Sequence, residues 1–388
     1  MRSRTAGGLV VLGLALLGAP PAAADAAAAA GAAAAAAVVD RPVGDRRIVE
    51  SSGLAAGTRR PAVLWTMNDS GGGAVLFGLD RRGRVGAAVT VRGVRNQDWE
   101  ALAAWRDGAG RSLLAVGDVG DNRGRRPSVT VHVLAEPQAR GAVSARPLRS
   151  IALRYPEGPQ DAETLLADPR TDRLYVVTKG LFRSTVYAVP AAAWPGSGAP
   201  GKRSVAVLER VREVPIVLCT DGVIAPDGHV LLRSYGSVFL FPPLGPGGPD
   251  QPGRSGAAPS VEPLTSAALP VQPQGEGMAL AADGRSVLLS SEGGSEPILR
   301  SVLPDRFLER ADGGLLAAPA PAPVATPGAP APSPPAPAGA PSGAPPATGA
   351  PSGPASVTPV EPAVPVAAVA VFLLAGLAAA GFTFARRR

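Results

Sequence analysis

The stretch DWEALAAWRDGAGRSLLAVGDVGDN, residues 98–122, holds an acidic opener, a short apolar run, a Gly-rich turn and a second apolar run that ends on acids. The same order recurs along the chain. Glu50 opens VESSGLA, Glu100 DWEALA, Glu163 DAETLL, Asp221 TDGVIA and Glu276 GEGMAL. The second run of each unit closes about 12 to 18 residues later, at Asn68 and Asp69, Asp118, Lys179, Arg233 and Glu292. A third strand-like run follows in every unit: AVLFGLD, VTVHVLAEP, TVYAVP, SVFLFPP and PILRSVLP. These runs are short, rich in Val, Leu, Ile and Tyr, and separated by Gly, Pro and Asp turns, as strands are.

The spacing of the openers, on the order of 50 to 60 residues, is that of propeller blades with slightly long loops. Fourth strands fall at VGAAVTVRG, PLRSIALRY, SVAVLERV and SVEPLTS, each just before the next opener. The last unit has none, so the segment RPVGDRRIV, residues 41–49, is expected to close the ring. The sequence therefore predicts an all-β propeller of five blades over residues 40–310. Six is the alternative, with a hidden blade in residues 135–146 or 244–261. A sandwich would show no such recurrence, and β-helix coils are much shorter.

Both ends carry targeting patterns. Arg2 and Arg4 precede an apolar stretch at 7–17 and small residues at 22–24, which reads as a signal peptide over residues 1–24. An alanine-rich tail follows at 25–39. Residues 311–359 are Pro, Ala, Gly, Ser and Thr with almost no large apolar side chain, a composition that builds no core and suits an extended stalk. Residues 364–385 are uncharged and apolar, long enough for one transmembrane helix, and the chain ends on Arg386, Arg387 and Arg388. By the positive-inside rule that tail is cytoplasmic, so the expected topology is a single-pass cell-membrane protein with its propeller outside. No LPxTG-type motif precedes the apolar segment.

The net charge of +7 is concentrated at the ends. Five of the 38 basic residues lie in the leader and tail, leaving 33 against 31 acids, which removes the electrostatic support for nucleic-acid binding. Cys219 is the single cysteine, so no internal disulfide forms.

In a propeller the first strand of each blade lines the central channel. Equivalent positions then face one axis, and Glu50, Glu100, Glu163, Asp221 and Glu276 are expected to converge. Clustered carboxylates repel unless a cation sits among them; Ca²⁺, a hard cation with oxygen ligands, is the simplest solution. Asp118 joins this expected metal set. The alternative is that these acids cap turns or pair with arginines in separate blades. The chain has 36 arginines and only two lysines, so Lys179 at a blade position stands out. With Arg233, Asn68, Asp69 and Glu292 it forms the expected substrate-binding set for a small anionic group; ordinary loop salt bridges are the competing reading.

ESSGL, WTMNDSG, NQDWEALA, GDVGDN, DAETLL, VVTKG and QGEGMAL together resemble the secreted actinobacterial propeller proteins described as phytase-like or esterase-like. They are more distantly similar to the proteins named after regulation by the quorum-sensing receptor SdiA. The resemblance runs from about Ile48 to Glu292. It implies calcium held by acidic residues in or over the channel, and with it a calcium-dependent phosphoester or ester hydrolase. The fourth blade departs from the pattern, since LCTDGVIAPDG carries Cys219 where a small polar residue is expected.

Other motifs fail. The P-loop-like segment 196–202 is followed by Arg203 where a Ser or Thr must bind Mg²⁺, and no Gly-x-Ser-x-Gly elbow occurs. His132 and His229 are the only histidines, too few for a histidine zinc site. Trp65, Trp99 and Trp105 read as packing residues. Two functions remain: a calcium-dependent hydrolase with Glu100, Asp118 and Glu163 as favoured ligands, or a non-catalytic extracellular module that binds a cell-envelope partner. Fold alone supports both.

Overall fold

A computed structural model describes residues 37–138, 140–193, 205–245, 258–311 and 314–315. Strand β1 (Ala37–Arg41) comes first. Blade one holds β2 (Ser51–Ala56), β3 (Leu64–Asn68), β4 (Val75–Leu79) and β5 (Val85–Val91). Blade two begins with β6 (Trp99–Arg106), β7 (Ser112–Asp118) and β8 (Val129–Ala135); after β9 (Gly141–Ala145) it ends with β10 (Arg149–Arg154). Blade three has β11 (Ala162–Asp168), β12 (Arg173–Thr178) and β13 (Ser184–Ala188), then, past β14 (Ala206–Val207), β15 (Glu209–Val214). Blade four is β16 (Asp221–Ile224), β17 (Val230–Arg233), β18 (Ser237–Phe241) and β19 (Thr265–Ala268). Blade five is β20 (Gly275–Leu280), β21 (Ser286–Ser291) and β22 (Ile298–Val302), followed by the short helix α1 (Asp305–Arg310).

Each blade is an antiparallel meander, and the innermost strands β2, β6, β11, β16 and β20 touch in ring order, with β20 beside β2. The described residues form a closed all-β propeller of five blades. Each sheet buries both faces against its neighbours, which is why strands such as β7, β11 and β20 are buried along their whole length. The core is accordingly five inter-blade layers. Trp65, Trp99 and Leu102 pack between blades one and two; Leu54, Phe77, Leu79, Leu288 and Ile298 join blade five to blade one. Phe307 of α1 is inserted between blades four and five. Inner strands come very close: a Cβ on Gly53 would meet Leu102 N at 2.8 Å, and one on Gly277 would meet Leu54 Cβ at 2.8 Å.

The ring is closed by β1, antiparallel to β22; of the expected segment 41–49 only Arg41 takes part, pairing with Ile298. The reason is local. Asp40 on β1 binds Arg300 on β22 at 2.7 Å and Arg41 at 2.7 Å, whereas residues 41–49 contain Pro42 and a turn and instead bury Val43 and Ile48. The strand thus recruits Ala37, Val38 and Val39, residues expected in the alanine-rich tail. Residues 141–145, considered for a sixth blade, form β9 and extend blade one as a fifth strand parallel to β5. The fourth strand of blade three lies at Glu209–Val214, because Ala206 and Val207 pair with β10 of blade two. In blade four the fourth strand begins at Thr265, five residues beyond the expected start, and Ser260 bridges to Glu213 instead.

The leader, residues 25–36, the segment 196–202, nearly all of the stalk and the apolar segment 364–385 lie outside the described residues. Among the described residues no helix is long and apolar enough to cross a membrane.

Candidate metal centre at the channel mouth

The position of the acids follows from one irregularity repeated in four blades. β2, β6, β11 and β20 each carry one extra residue relative to the strand they pair with, just after the pairs Ser51–Asn68, Trp99–Asp118, Ala162–Thr178 and Gly275–Ser291. A bulge of this kind re-aims the residue it frees. The next residues, Ser52, Glu100, Glu163 and Glu276, therefore share one register position, and all four are buried. Two residues earlier stand Glu50, Asp98, Asp161 and Gln274, whose carbonyls accept hydrogen bonds from Asp69, Gly120, Lys179 and Glu292. The mouth thus has an inner set, Ser/Glu/Glu/Glu, and an outer set, Glu/Asp/Asp/Gln.

Oxygen atoms of Asp69, Asp98 and Glu100 all lie within 4.8 Å of one another. Ser52 steadies the third, its hydroxyl donating to Glu100 Oε2 at 2.7 Å and to the Glu100 carbonyl at 3.1 Å. Asn96 holds the Asp69 side in place by donating to the carbonyls of Asn68 and Asp69. Burial, then the charge of Asp69, then that of Asp161 push the Asp98 carboxyl up to about 7, and a side-chain hydrogen bond links Asp98 to Asp69. Glu100 is held well above the usual carboxylate range by burial first and then by Glu163, Asp69 and Glu276. Glu292 is raised to about 8, again by burial and then by Glu276, Asp69 and Glu50. These groups face a shortage of positive charge.

The opposite side of the mouth holds a buried lysine set directly against these acids. Lys179 pairs with Glu163 and lies 5.1 Å from the ring centre of Tyr235. Desolvation works against the ammonium, but Glu163 and Glu276 outweigh it and hold its pKa well above the ordinary value. Tyr235 donates its hydroxyl to Glu276 Oε1 at 3.3 Å, and Gln274 Nε2 donates to the same oxygen at 3.2 Å. Burial and the charge of Glu276 raise the Tyr235 pKa, so the phenol stays protonated. Glu163 Oε2 and Glu276 Oε2 are buried without a hydrogen-bond partner. A buried carboxylate oxygen left bare is costly, which marks this side as incomplete by itself.

The remaining expected residues have other employment. Asp221 and Arg233 form a direct pair in β16–β17, where no extra residue occurs. Asp221 is fully buried and accepts Gly222 N at 2.8 Å and Met278 N at 2.6 Å, tying blade four to blade five. Arg233 donates to the Gly277 carbonyl at 3.0 Å and to Gln272 Oε1 at 3.4 Å, and burial lowers its pKa to about 10. Asp118 is paired with Arg126 at 2.7 Å. Asn68 spends its amide on the backbone of Arg47, Val49 and Glu50. Glu50 bridges to Glu292 at the seam of blades one and five. The structure brings together Glu50, Asp69, Glu100, Glu163, Glu276, Lys179 and Glu292 of the expected set, and adds Asp98, Asp161, Ser52 and Tyr235. The signal for Asp98, Asp161 and Ser52 was in the sequence: acids or their equivalents recur two apart, as Asp98-Trp-Glu100, Asp161-Ala-Glu163, Gln274-Gly-Glu276 and Glu50-Ser-Ser52.

The class this defines is a five-bladed propeller with a buried acidic centre at one end of its channel. No protein-family model matches the chain, and no curated protein matches it in sequence. Among solved structures it has distant structural similarity to a gluconolactonase of Xanthomonas campestris (13% identity, 71% of this chain and 93% of that one, TM-score 0.36). A luciferin-regenerating enzyme gives 10% identity over 72% and 98% with a TM-score of 0.38. The hydrazine synthase of Kuenenia stuttgartiensis gives 14% identity over 63% and 56% with a TM-score of 0.32. Likeness this distant says nothing about what this chain does.

Proposed function

We propose that the protein is an exported, membrane-tethered hydrolase of esters or phosphoesters whose acidic channel mouth holds Ca²⁺. The observation that carries the reading is the triad Asp69, Asp98 and Glu100 with its oxygens inside 4.8 Å, beside the bare buried oxygens of Glu163 and Glu276. Calcium takes oxygen ligands at about 2.3–2.6 Å, so two oxygens on one ion are separated by at most about 5 Å, which the triad satisfies. The donor set is all oxygen, which favours a hard cation over zinc or copper.

When bound, such an ion polarises a phosphoryl or carbonyl oxygen and makes water a better nucleophile. The chain's own residues supply the rest. Lys179, held charged, steadies the anionic group of the substrate. Tyr235, kept protonated, offers a neutral donor next to Glu276. Hydrolysis joins the water oxygen to phosphorus or acyl carbon and breaks the ester bond there; one proton leaves with the alcohol and one is taken up by a carboxylate. Glu292, whose carboxyl faces the charges of Glu276, Asp69 and Glu50, is the group assigned to accept it, deprotonated once a bound cation offsets those negative charges. The test is turnover of nitrophenyl phosphate and short nitrophenyl esters with calcium or chelator. Calcium-dependent release that Lys179→Met reduces supports the reading; no release under either condition refutes catalysis and leaves a binding module.

A further inference from the structure

Three large apolar side chains are the most exposed of their kind among the described residues: Val271 at 99%, Phe182 at 84% and Leu181 at 67%. All three sit at the same end of the propeller. Residues 179–183 form the β12–β13 turn that starts from Lys179, at the end where Lys179 N donates to the Asp161 carbonyl. Residues 269–274 lead from β19 into β20 and deliver Gln274 and Glu276 to the mouth. Tyr235 lies between these two loops, within cation–π distance of Lys179 and hydrogen-bonded to Glu276. The remaining exposed apolar residues, such as Leu148 between β9 and β10 and Val302 at the end of β22, are less exposed.

The display is built into the backbone. A Cβ on Gly180 would meet the Arg183 carbonyl oxygen at 1.8 Å, so this tight turn requires glycine and holds Leu181 and Phe182 at its tip. The Gly180 carbonyl accepts Leu218 N at 2.8 Å, which fixes the turn to the next blade. The Val271 loop is anchored through Gln272, which accepts from Arg233. Exposing apolar side chains opposes the hydrophobic effect, and scattered ones need no explanation. Here the three extremes stand on the two loops that carry Lys179 and Gln274 at the mouth.

Resting on the hydrolase reading, we propose that the substrate is an amphiphile: its ester or phosphate head enters the acidic mouth at Lys179, and its alkyl chain lies along Leu181, Phe182 and Val271. The charge at Lys179 and the apolar residues continuing from it on the same turn favour one molecule with both characters over separate partners.

Alkyl phosphates from ethyl to octyl, below their micellar concentrations, test this by calorimetry on the calcium-loaded protein. Affinity should rise with chain length, by up to about fourfold for each methylene that becomes buried. The double variant Leu181→Ser with Phe182→Ser, and Val271→Ser separately, should flatten that series while leaving ethyl phosphate binding unchanged; Phe182→Leu should restore much of the slope. Flat affinity in the unaltered protein, absence of binding by any member, or an equal slope in the serine variants overturns the proposal. So does a dimer in sedimentation that the serine variants dissociate, if it accompanies a flat series, because the three apolar residues then serve a second copy of the chain. Chain-length-dependent binding without turnover of any ester refutes hydrolysis and leaves the amphiphile site standing.

Discussion

Replacing Lys179 by methionine keeps most of the unbranched side chain and removes its charge from a place where three groups depend on it. The lysine side chain is 13% exposed and that of its partner Glu163 5%, while Glu276 and Tyr235 also face it. Removing one member of a buried pair typically costs about 3–5 kcal/mol, because the partner is left charged without solvent. Here Glu163 already has one bare oxygen, so the upper part of that range applies in the absence of metal. For a domain of this size about 1 kcal/mol shifts the melting temperature by about 2–4 °C, and the loss should reach on the order of 10 °C. Adding Glu163→Gln to Lys179→Met should return most of it, giving a coupling above about 2 kcal/mol in a double-mutant cycle. Calcium should also recover part of the loss by supplying charge. Urea unfolding at neutral pH and low salt, with chelator, measures all four proteins. A cost below about 1 kcal/mol, or strictly additive effects, would show that Lys179 is an ordinary surface pair and does not hold the acidic centre together.

Asp98 and Glu292 bind protons more tightly in the folded chain, at about 7 and about 8, than when unfolded, at about 4. Their favourable contribution is complete below about pH 4 and lost as pH rises through about 8; without metal, unfolding free energy measured by denaturant at several pH values should fall across that window, and calcium should flatten the curve. Asp221→Ala leaves buried N–H groups of Gly222 and Met278 without an acceptor and should cost about 3 kcal/mol with calcium affinity unchanged; a large loss of calcium binding in calorimetry would instead make Asp221 a ligand. Glu292→Gln should lower kcat with little change in calcium affinity, and an unaltered pH–rate profile would remove it as the proton acceptor.

The repeat was legible because each strand run is bounded by turn residues and each blade restarts on an acid, so strand count and blade count follow from spacing. Closure was not, since Ala37, Val38 and Val39 look like the end of a featureless alanine tail until Asp40 meets Arg300. The cluster of acids was legible in type and partly in place. Glu100, Glu163 and Glu276 share a register, but Glu50 belongs one step further out with Asp98 and Asp161. The cause is the extra residue after Ser51, Trp99, Ala162 and Gly275, which spacing along one strand does not reveal. Blade four lacks that extra residue, so Asp221 turns to backbone N–H groups while Cys219, with its thiol raised to about 12 by burial, stands where the other blades place an outer acid or glutamine. Tyr235 escaped notice because a tyrosine in a turn carries no signal until its neighbours across the channel are known.

The central claim is that the acidic mouth is completed by calcium, and thermal unfolding with and without chelator tests it most directly. A ligand present at about 100 times its dissociation constant, and binding only the native state, adds about 2.7 kcal/mol, so calcium should raise the melting temperature by about 5–10 °C. Glu100→Gln with Glu163→Gln should abolish the difference while leaving a cooperative transition. Superimposable curves for the unaltered protein in calcium and in chelator would contradict the account, because the carboxylates would then be balanced by protons, Lys179 and neighbouring arginines without metal.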